Sequence, residues 1–532
     1  MKRGLALVVL TGLSGCHHAA SGTELGTQLA GRPGSYVGGT LSSAVVQVNL
    51  DRRDFVYDLE LDATDDRAAY VHLAAKVFRL AVMQGTPDLL SPTPTKLLAD
   101  VPINSNEIDV EAVAFSPDGQ RIAAASHDRS VRLFDGAGNR VAEAVTEEPL
   151  TAVAFSPDGL SLVVGSDEGL LTVLDARALT YRSELRAHHD AVRALAFDDA
   201  GTLWSGGYDK QVRSFTLASA DAPLTEVRLH PRKIGGVLAI GTAVPTAEGT
   251  ARLDLGVDER TDRTLITLEA AQRLGIEVGL LKTQGTQSTP GGTVSVPLAE
   301  RAARRFKALT ATHVPVGICS SCVPQGLDGV LGRDFLSAHP LVQDATTHEL
   351  VIQAAPGEAD PSHVTVVLHP GATWGMPGLV ADLTVSRDGA HLGVALDEAK
   401  PERNLVLYQR EKAGQIEPAL PGNLAVIVDA KSGAILEKHG PHTGVVSSAA
   451  ISPDGRSIAS GGWDRKVYVF SGSDTPVASL SYGWSVRRVR FTHDGRLLSV
   501  AAWTPQNAQN ADSDPSAQLL RLDYADASIL PR

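Results

Sequence analysis

Cysteine and methionine are scarce in this chain, at three each in 532 residues, and aromatic residues make up only 5%. So few cysteines exclude the dense disulfide framework of a small secreted fold and the paired Cys sets of structural zinc sites. Long apolar runs are scarce too, and none in the interior approaches the roughly 20 residues a spanning helix requires, so the sequence predicts a soluble body. Common catalytic signatures are missing: there is no Gly-x-Ser-x-Gly elbow, no His-Glu-x-x-His and no Gly-x-x-x-x-Gly-Lys-Ser/Thr loop. The pairs His17-His18 and His188-His189 have no further ligands at metal spacing, so neither a metal nor a cofactor is expected. Basic residues are also in deficit, 48 against 61 acidic ones for a net charge of −13, which argues against binding nucleic acid by neutralising phosphates.

Glycine is abundant, at 50 residues, and part of it belongs to a repeat. Val113-Ala-Phe-Ser-Pro-Asp-Gly119 returns as Val153-Ala-Phe-Ser-Pro-Asp-Gly159 after 40 residues, and a relative ends at Gly201 after 42 more. The next, Ser386-Arg-Asp-Gly389, comes only 188 residues later, followed by Ser452-Pro-Asp-Gly455 and His493-Asp-Gly495. Pro at the second turn position presets φ and Gly at the fourth supplies positive φ, so each motif is a tight turn between two strands. A step near 40 residues predicts a β-propeller, whose sheets cannot bury both faces alone. The long gap predicts a separate insertion.

The repeats resemble the WD-repeat family. His188, Ser205, Asp209 and Phe215, and again His442, Ser460, Asp464 and Phe470, fall where that family keeps a His, a Ser or Thr, an Asp and a Trp that bond the blade together. With a degenerate unit from Val56-Tyr-Asp-Leu-Glu-Leu61, seven units are counted, near 54–100, 109–145, 149–182, 190–225, 378–438, 443–480 and 485–525. The expected fold class is therefore all-β, a seven-bladed propeller interrupted by a small β domain. An open edge on the last sheet invites aggregation, and Ala44-Val-Val-Gln-Val-Asn-Leu50 is expected to close it.

The interruption carries Leu253-Asp254-Leu255-Gly256 and Asp328-Gly-Val-Leu-Gly-Arg-Asp-Phe-Leu336, with Leu265-Ile266, a helix from Leu268 to Leu274 and a Gly-rich hairpin around Thr289-Pro-Gly-Gly-Thr293 between them. In this order they resemble one half of a retropepsin-like aspartic peptidase. The resemblance implies Asp254 and Gly256 as catalytic-loop residues and the hairpin as a flap. That chemistry uses two carboxylates sharing one proton, and one chain supplies a single Asp, so activity implies a homodimer. Leu255 stands where the family has a hydroxyl residue. Cys319 and Cys322 are read as a structural disulfide, with free thiols and redox or metal chemistry as the alternatives.

At the N-terminus, Met1-Lys2-Arg3 and the apolar run to Leu13 have the shape of a signal peptide. Leu13-Ser14-Gly15-Cys16 resembles the bacterial lipobox, which implies lipidation of Cys16. Loss of Lys2 and Arg3 with the signal takes the charge from −13 to −15. The expected division is residues 1–15 signal, 16–40 flexible tether, 41–225 blades one to four, 226–360 retropepsin-like domain, 361–525 blades five to seven and 526–532 tail. The chain is thus expected in the bacterial cell envelope, membrane-anchored, with protein or peptide partners. Two functions stay open: a propeller carrying a peptide-bond hydrolase, or a binding scaffold with a degenerate peptidase domain.

Overall fold

The computed structural model describes residues 7–9, 39–42, 46–48, 55–62, 67–74, 77–84, 96–103, 109–220, 226–246, 249–289, 292–299, 304–306, 309–311, 315–345, 348–353, 365–397, 423–440, 442–481, 485–491, 493, 497–503 and 519–526. Cys16 and tether residues 17–38 lie outside them, whereas Gly39 and Thr40, expected at the end of the tether, belong to the strand Gly39–Ser42. The chain is all-β, and its WD-like repeats form sheets of the kind that build a β-propeller.

The Ser-x-Asp-Gly turns of four repeats are built in the same way. Ser116 Oγ donates to Asp118 Oδ1 at 2.6 Å, Gly119 N donates to Ser116 O at 2.7 Å, and Gly119 sits at φ 64°. A Cβ at that φ crowds the backbone, so glycine is favoured there. The same Ser-to-Asp bond recurs from Ser156, Ser386 and Ser452. Each turn joins the first strand of an antiparallel sheet to the second, as Val110–Phe115 joins Arg121–Ser126, with Ser130–Asp135 and Arg140–Val145 following.

Among the described residues seven such four-stranded sheets occur. Their first strands, Phe55–Leu61, Val110–Phe115, Leu150–Phe155, Val192–Phe197, Leu379–Val385, Val446–Ile451 and Ser485–Phe491, touch one another in that order, and the last touches the first. Apolar side chains from facing sheets fill the space between neighbours: Ala123, Val131 and Leu133 of one meet Val153, Leu162 and Val164 of the next. Burying such a Leu or Val stabilises by roughly 1.5–3 kcal/mol.

Two pairings differ from the sequence reading. The fourth sheet does not end at residue 225: the long strand Gln211–Ala220 takes Thr365–Gly375, from beyond the interruption, as its outer neighbour. The interrupting segment therefore replaces the turn between two strands of one sheet. The last sheet gains its outer strand from Gly39–Ser42, paired with Leu519–Asp526, whereas Val46–Val48 pairs with Leu7–Val9. The more strongly alternating run is not the one that closes the edge.

Segment 226–353 has its own core. Strand Val237–Thr246 pairs antiparallel with Gly249–Val257, which runs parallel to Gly329–Leu331; Leu265–Ile266 lies antiparallel to Gly329–Leu331 on its other side. Thr267 caps the short helix Leu268–Arg273 by accepting from Ala270 N at 3.1 Å, and Gly275 at φ 67° ends it. Leu253, Leu255, Ile266, Ala271, Leu331 and Phe335 bury against one another.

Candidate functional site

Asp254 lies in the strand Gly249–Val257, where period-2 alternation sends Leu253 and Leu255 into the core and sets Arg252 on the same face as Asp254. Arg252 Nη2 donates to Asp254 Oδ1 at 2.6 Å, and Arg232 Nη2 donates to the same oxygen at 2.7 Å. The opposite strand has Gly241 across from Asp254, and a Cβ there would come within 2.8 Å of Arg252 Nη2, so this glycine makes room for the guanidinium.

A third cation arrives from the repeat region. Arg129, in the turn between Arg121–Ser126 and Ser130–Asp135, takes φ 69° and places Nη1 3.5 Å from Asp254 Oδ2. The corresponding turn of the next sheet uses Gly169 at φ 93°, so a bulky residue tolerates here a conformation that normally costs roughly 1 kcal/mol. Arg252 also donates to the Glu147 carbonyl at 2.9 Å, a second tie to the repeats. Burial pushes the Asp254 carboxyl up, but Arg252, Arg232 and Arg129 outweigh it and hold the group below the usual carboxylate range. Burial, partly offset by Asp254, draws Arg252 down to about 10, which leaves it protonated at neutral pH.

The backbone around Asp254 is fixed from the other side. Asp254 N donates to Asp328 Oδ2 and Asp328 N donates to Asp254 O, each at 2.9 Å. Arg273 pairs with the other Asp328 oxygen. Gly256 is needed for packing, since a Cβ would lie 2.8 Å from Leu327 Cδ1. Leu255 is wholly buried, within the segment's own core. The hairpin Gln284–Thr289 with Gly292–Ala299 forms where the flap was expected, its tip at 290–291 lying outside the described residues. Cys319 and Cys322 are joined by a disulfide, and Cys319 N donates to Ile266 O at 3.0 Å, which sets that loop beside Leu265–Ile266.

In the repeats, His188 Nδ1 lies 2.8 Å from Asp209 Oδ1 and Nε2 lies 2.6 Å from Ser205 Oγ. His442 is held likewise by Asp464 at 2.9 Å and Ser460 at 2.8 Å. In each case the second Asp oxygen accepts from a backbone N–H, of His189 or Thr443. Both imidazoles are buried, and both nitrogens are used for holding strands together. Residues 102–135, 179–215 and 432–471 match the family model described as WD domain, G-beta repeat. These three stretches are WD40 repeats. No curated protein matches this chain.

WD40 domains generally mediate protein–protein interactions; the bonding sets of two of these repeats tie strands of one blade together. Phe215 and Phe470 are buried at the Trp position of the WD40 pattern and carry no N–H, so the bonded set ends at Ser-His-Asp. The sheet 150–186 has no His at the corresponding place. There Ser166 Oγ donates to Glu148 Oε2, and Arg186 Nη2 reaches Glu148 Oε1 at 2.9 Å. A carboxylate thus stands in for an imidazole.

Sequence reasoning missed the arginines around Asp254. Arg252 was within reach, because i and i+2 on a strand share a face; Arg129 and Arg232 carry no such signal. It also missed a charged cluster where the first strands converge. Arg488 Nη1 and Arg490 Nη1 reach the two Asp382 oxygens at 3.0 and 2.9 Å, Arg488 also pairs with Asp58, Arg490 with Glu60, and Ser448 Oγ donates to Asp382 Oδ2 at 2.5 Å. Asp58, Glu60, Asp382, Arg488 and Arg490 line a cavity of about 530 Å³.

Proposed function

We propose that this chain is a non-catalytic protein-interaction scaffold. It is a seven-bladed WD40-type propeller, interrupted within its fourth blade by a retropepsin-like domain and tethered in the bacterial cell envelope through lipidated Cys16. The closed cycle of first strands supports the blade number. The parallel pairing of Gly249–Val257 with Gly329–Leu331, with Leu265–Ile266 beside them, supports the likeness to a peptidase half. The observation that carries the non-catalytic reading is the arginine clamp on Asp254. An aspartic dyad needs a carboxylate that shares a proton with a second carboxylate a few ångströms away. Asp254 instead faces three guanidinium groups that favour its ionised form. The buried Leu255 likewise offers no group to a partner copy.

The test is cleavage of a varied peptide mixture by purified protein between pH 4 and 7. Neither the wild type nor Asp254→Asn is expected to hydrolyse any peptide. Acid-favoured cleavage that disappears in a folded Asp254→Asn variant would establish the peptidase and discard this reading.

The membrane tether is tested separately. In a bacterial host, wild-type protein should sediment with membranes and incorporate a fatty-acid label, and Cys16→Ser should do neither. Equal membrane association of the two, with no label in the wild type, removes the lipid anchor from the proposal.

A further inference from the structure

The cycle of first strands encloses the cavity beside Asp382, and its inner side differs from one half to the other. Among the described residues each first strand ends its sheet, so every second N–H and C=O along its free edge faces inward. Side chains of the preceding first strand cap several of these groups. Val113 N donates to Asp58 Oδ2 at 2.9 Å, Ile451 N to Thr384 Oγ1 at 2.8 Å and Val489 N to Ser448 Oγ at 3.1 Å. The three consecutive strands Val110–Phe115, Leu150–Phe155 and Val192–Phe197 carry alanine at both capping positions: Ala112 and Ala114, Ala152 and Ala154, Ala194 and Ala196. Val153 and Leu195 hold the place of Val113 in their own sheets. The alanine before each of them has no acceptor to offer.

The cavity follows these strands from Ala112 to Phe115, Ala152 to Phe155 and Ala194 to Phe197, a depth of about 10 Å at 3.3 Å per residue. Its mouth lies between the turns that follow them, at Pro117, Pro157, Arg387, Pro453 and His493. That is the opposite end from His188 and His442, which precede the first strands of their sheets. On the far wall Asp58, Glu60, Asp382, Arg488 and Arg490 already pair with one another. Arg193 stands at the inner end. Its Cζ lies 5.3 Å from the Tyr208 ring centroid and its Nη2 3.6 Å from Glu111 Oε2, while its buried Nε has no hydrogen-bond partner among the described residues.

A volume of about 530 Å³ is in the usual range for a ligand pocket, roughly 300–1,000 Å³. Five carboxylates and four guanidinium groups line it, so a phosphate or a polyamine meets no large surplus of the opposite sign. What the alanine half leaves open is backbone, with N–H and C=O groups alternating along strand edges and the Arg193 donor at the end of the row. An extended peptide presents the complementary alternation at the same spacing, as when a strand adds to a sheet edge. The small alanine side chains leave the room for it. We propose that this cavity takes an extended, uncharged peptide segment of a partner protein. The segment enters between the Ser-x-Asp-Gly turns, pairs with the edge of Leu150–Phe155 or Val192–Phe197 over about three residues, and receives a hydrogen bond from Arg193 on a carbonyl. The choice of a peptide rests on the scaffold reading, and the cavity specifies where that scaffold grips its partner.

The probe is a library of randomised hexapeptides, acetylated, amidated and built from uncharged residues, passed over immobilised full-length protein. Retained peptides are identified by mass spectrometry and their Kd values measured by fluorescence anisotropy. A subset is expected to be retained and recovered intact. Ala114→Thr and Ala154→Thr copy Thr384 and give the next strand edge an internal cap. Each should weaken binding about 10-fold and the pair about 100-fold, with the melting temperature held or raised. Arg193→Gln should weaken it about 10-fold. No retained peptide, or binding of maltohexaose in its place, overturns the proposal. Binding kept at full strength by all these folded variants overturns it too, by placing the peptide elsewhere, and leaves the scaffold reading intact. Cleaved products strike the non-catalytic reading alone, because the cavity is judged by the loss of retention in the variants.

Discussion

Asp382→Ala is expected to lower the unfolding free energy by about 3–5 kcal/mol, the range for removing one partner of a buried charge cluster. Asp382 is almost wholly buried and accepts from Arg488, Arg490 and Ser448, which come from two other sheets. Truncation leaves two partly buried arginines without their shared carboxylate, offset in part by Asp58 and Glu60. Urea unfolding at pH 7, followed by far-UV circular dichroism, measures the loss; a change under about 1 kcal/mol would sink the argument.

The pH dependence has a defined sign. Burial pushes the Asp382 carboxyl up, but Arg490 and Arg488 overcome this and bring it down from 3.8 to about 2. A depressed folded value means that the stabilisation is present above pH 4 and is lost as the pH falls towards 2. Asp382→Asn should therefore be less stable than wild type at neutral pH and should show a flatter acid limb between pH 4 and 2.

The repeated turns were legible because their chemistry is local. Ser116, Asp118 and Gly119 lie within four residues and bond to one another, so the sequence alone specifies the geometry. The His188 and His442 sets were legible for a related reason, since their members recur at similar offsets within one blade. Strand partners across the interruption were not. Gln211–Ala220 reads as the last strand of its unit because its partner Thr365–Gly375 lies beyond a segment with its own core. The closing strand was misplaced because alternation in Val46–Val48 outweighs that in Gly39–Ser42, although pairing with Leu519–Asp526 is set by position at the sheet edge. Asp254 was found by motif, but its chemistry depends on Arg129 and Arg232, and no spacing rule links those residues to it. A family motif thus locates a backbone feature, and the neighbours decide what the side chain can do.

Asp254→Ala is expected to destabilise the protein by about 3 kcal/mol, because three guanidinium groups lose the carboxylate that holds them together. The loss should appear in urea unfolding and as faster proteolysis at the junction between segment 226–353 and the turn that carries Arg129. If that junction is the cause, Arg129→Ala in the Asp254→Ala background should cost less than in the wild type, or even restore stability by relieving repulsion from Arg232 and Arg252. Strictly additive losses would show that the Arg129 contact contributes nothing. Because the carboxyl is held below its ordinary value, its stabilisation is present above about pH 4 and fades as the pH falls through the folded value. The wild type and Asp254→Ala should therefore converge in acid. A dyad aspartate predicts the reverse at neutral pH. Removing one of two like charges relieves repulsion, and replacing strained catalytic groups commonly stabilises an enzyme. The sign of the stability change at pH 7 consequently separates a carboxylate kept for structure from one kept for chemistry, even where no substrate is known.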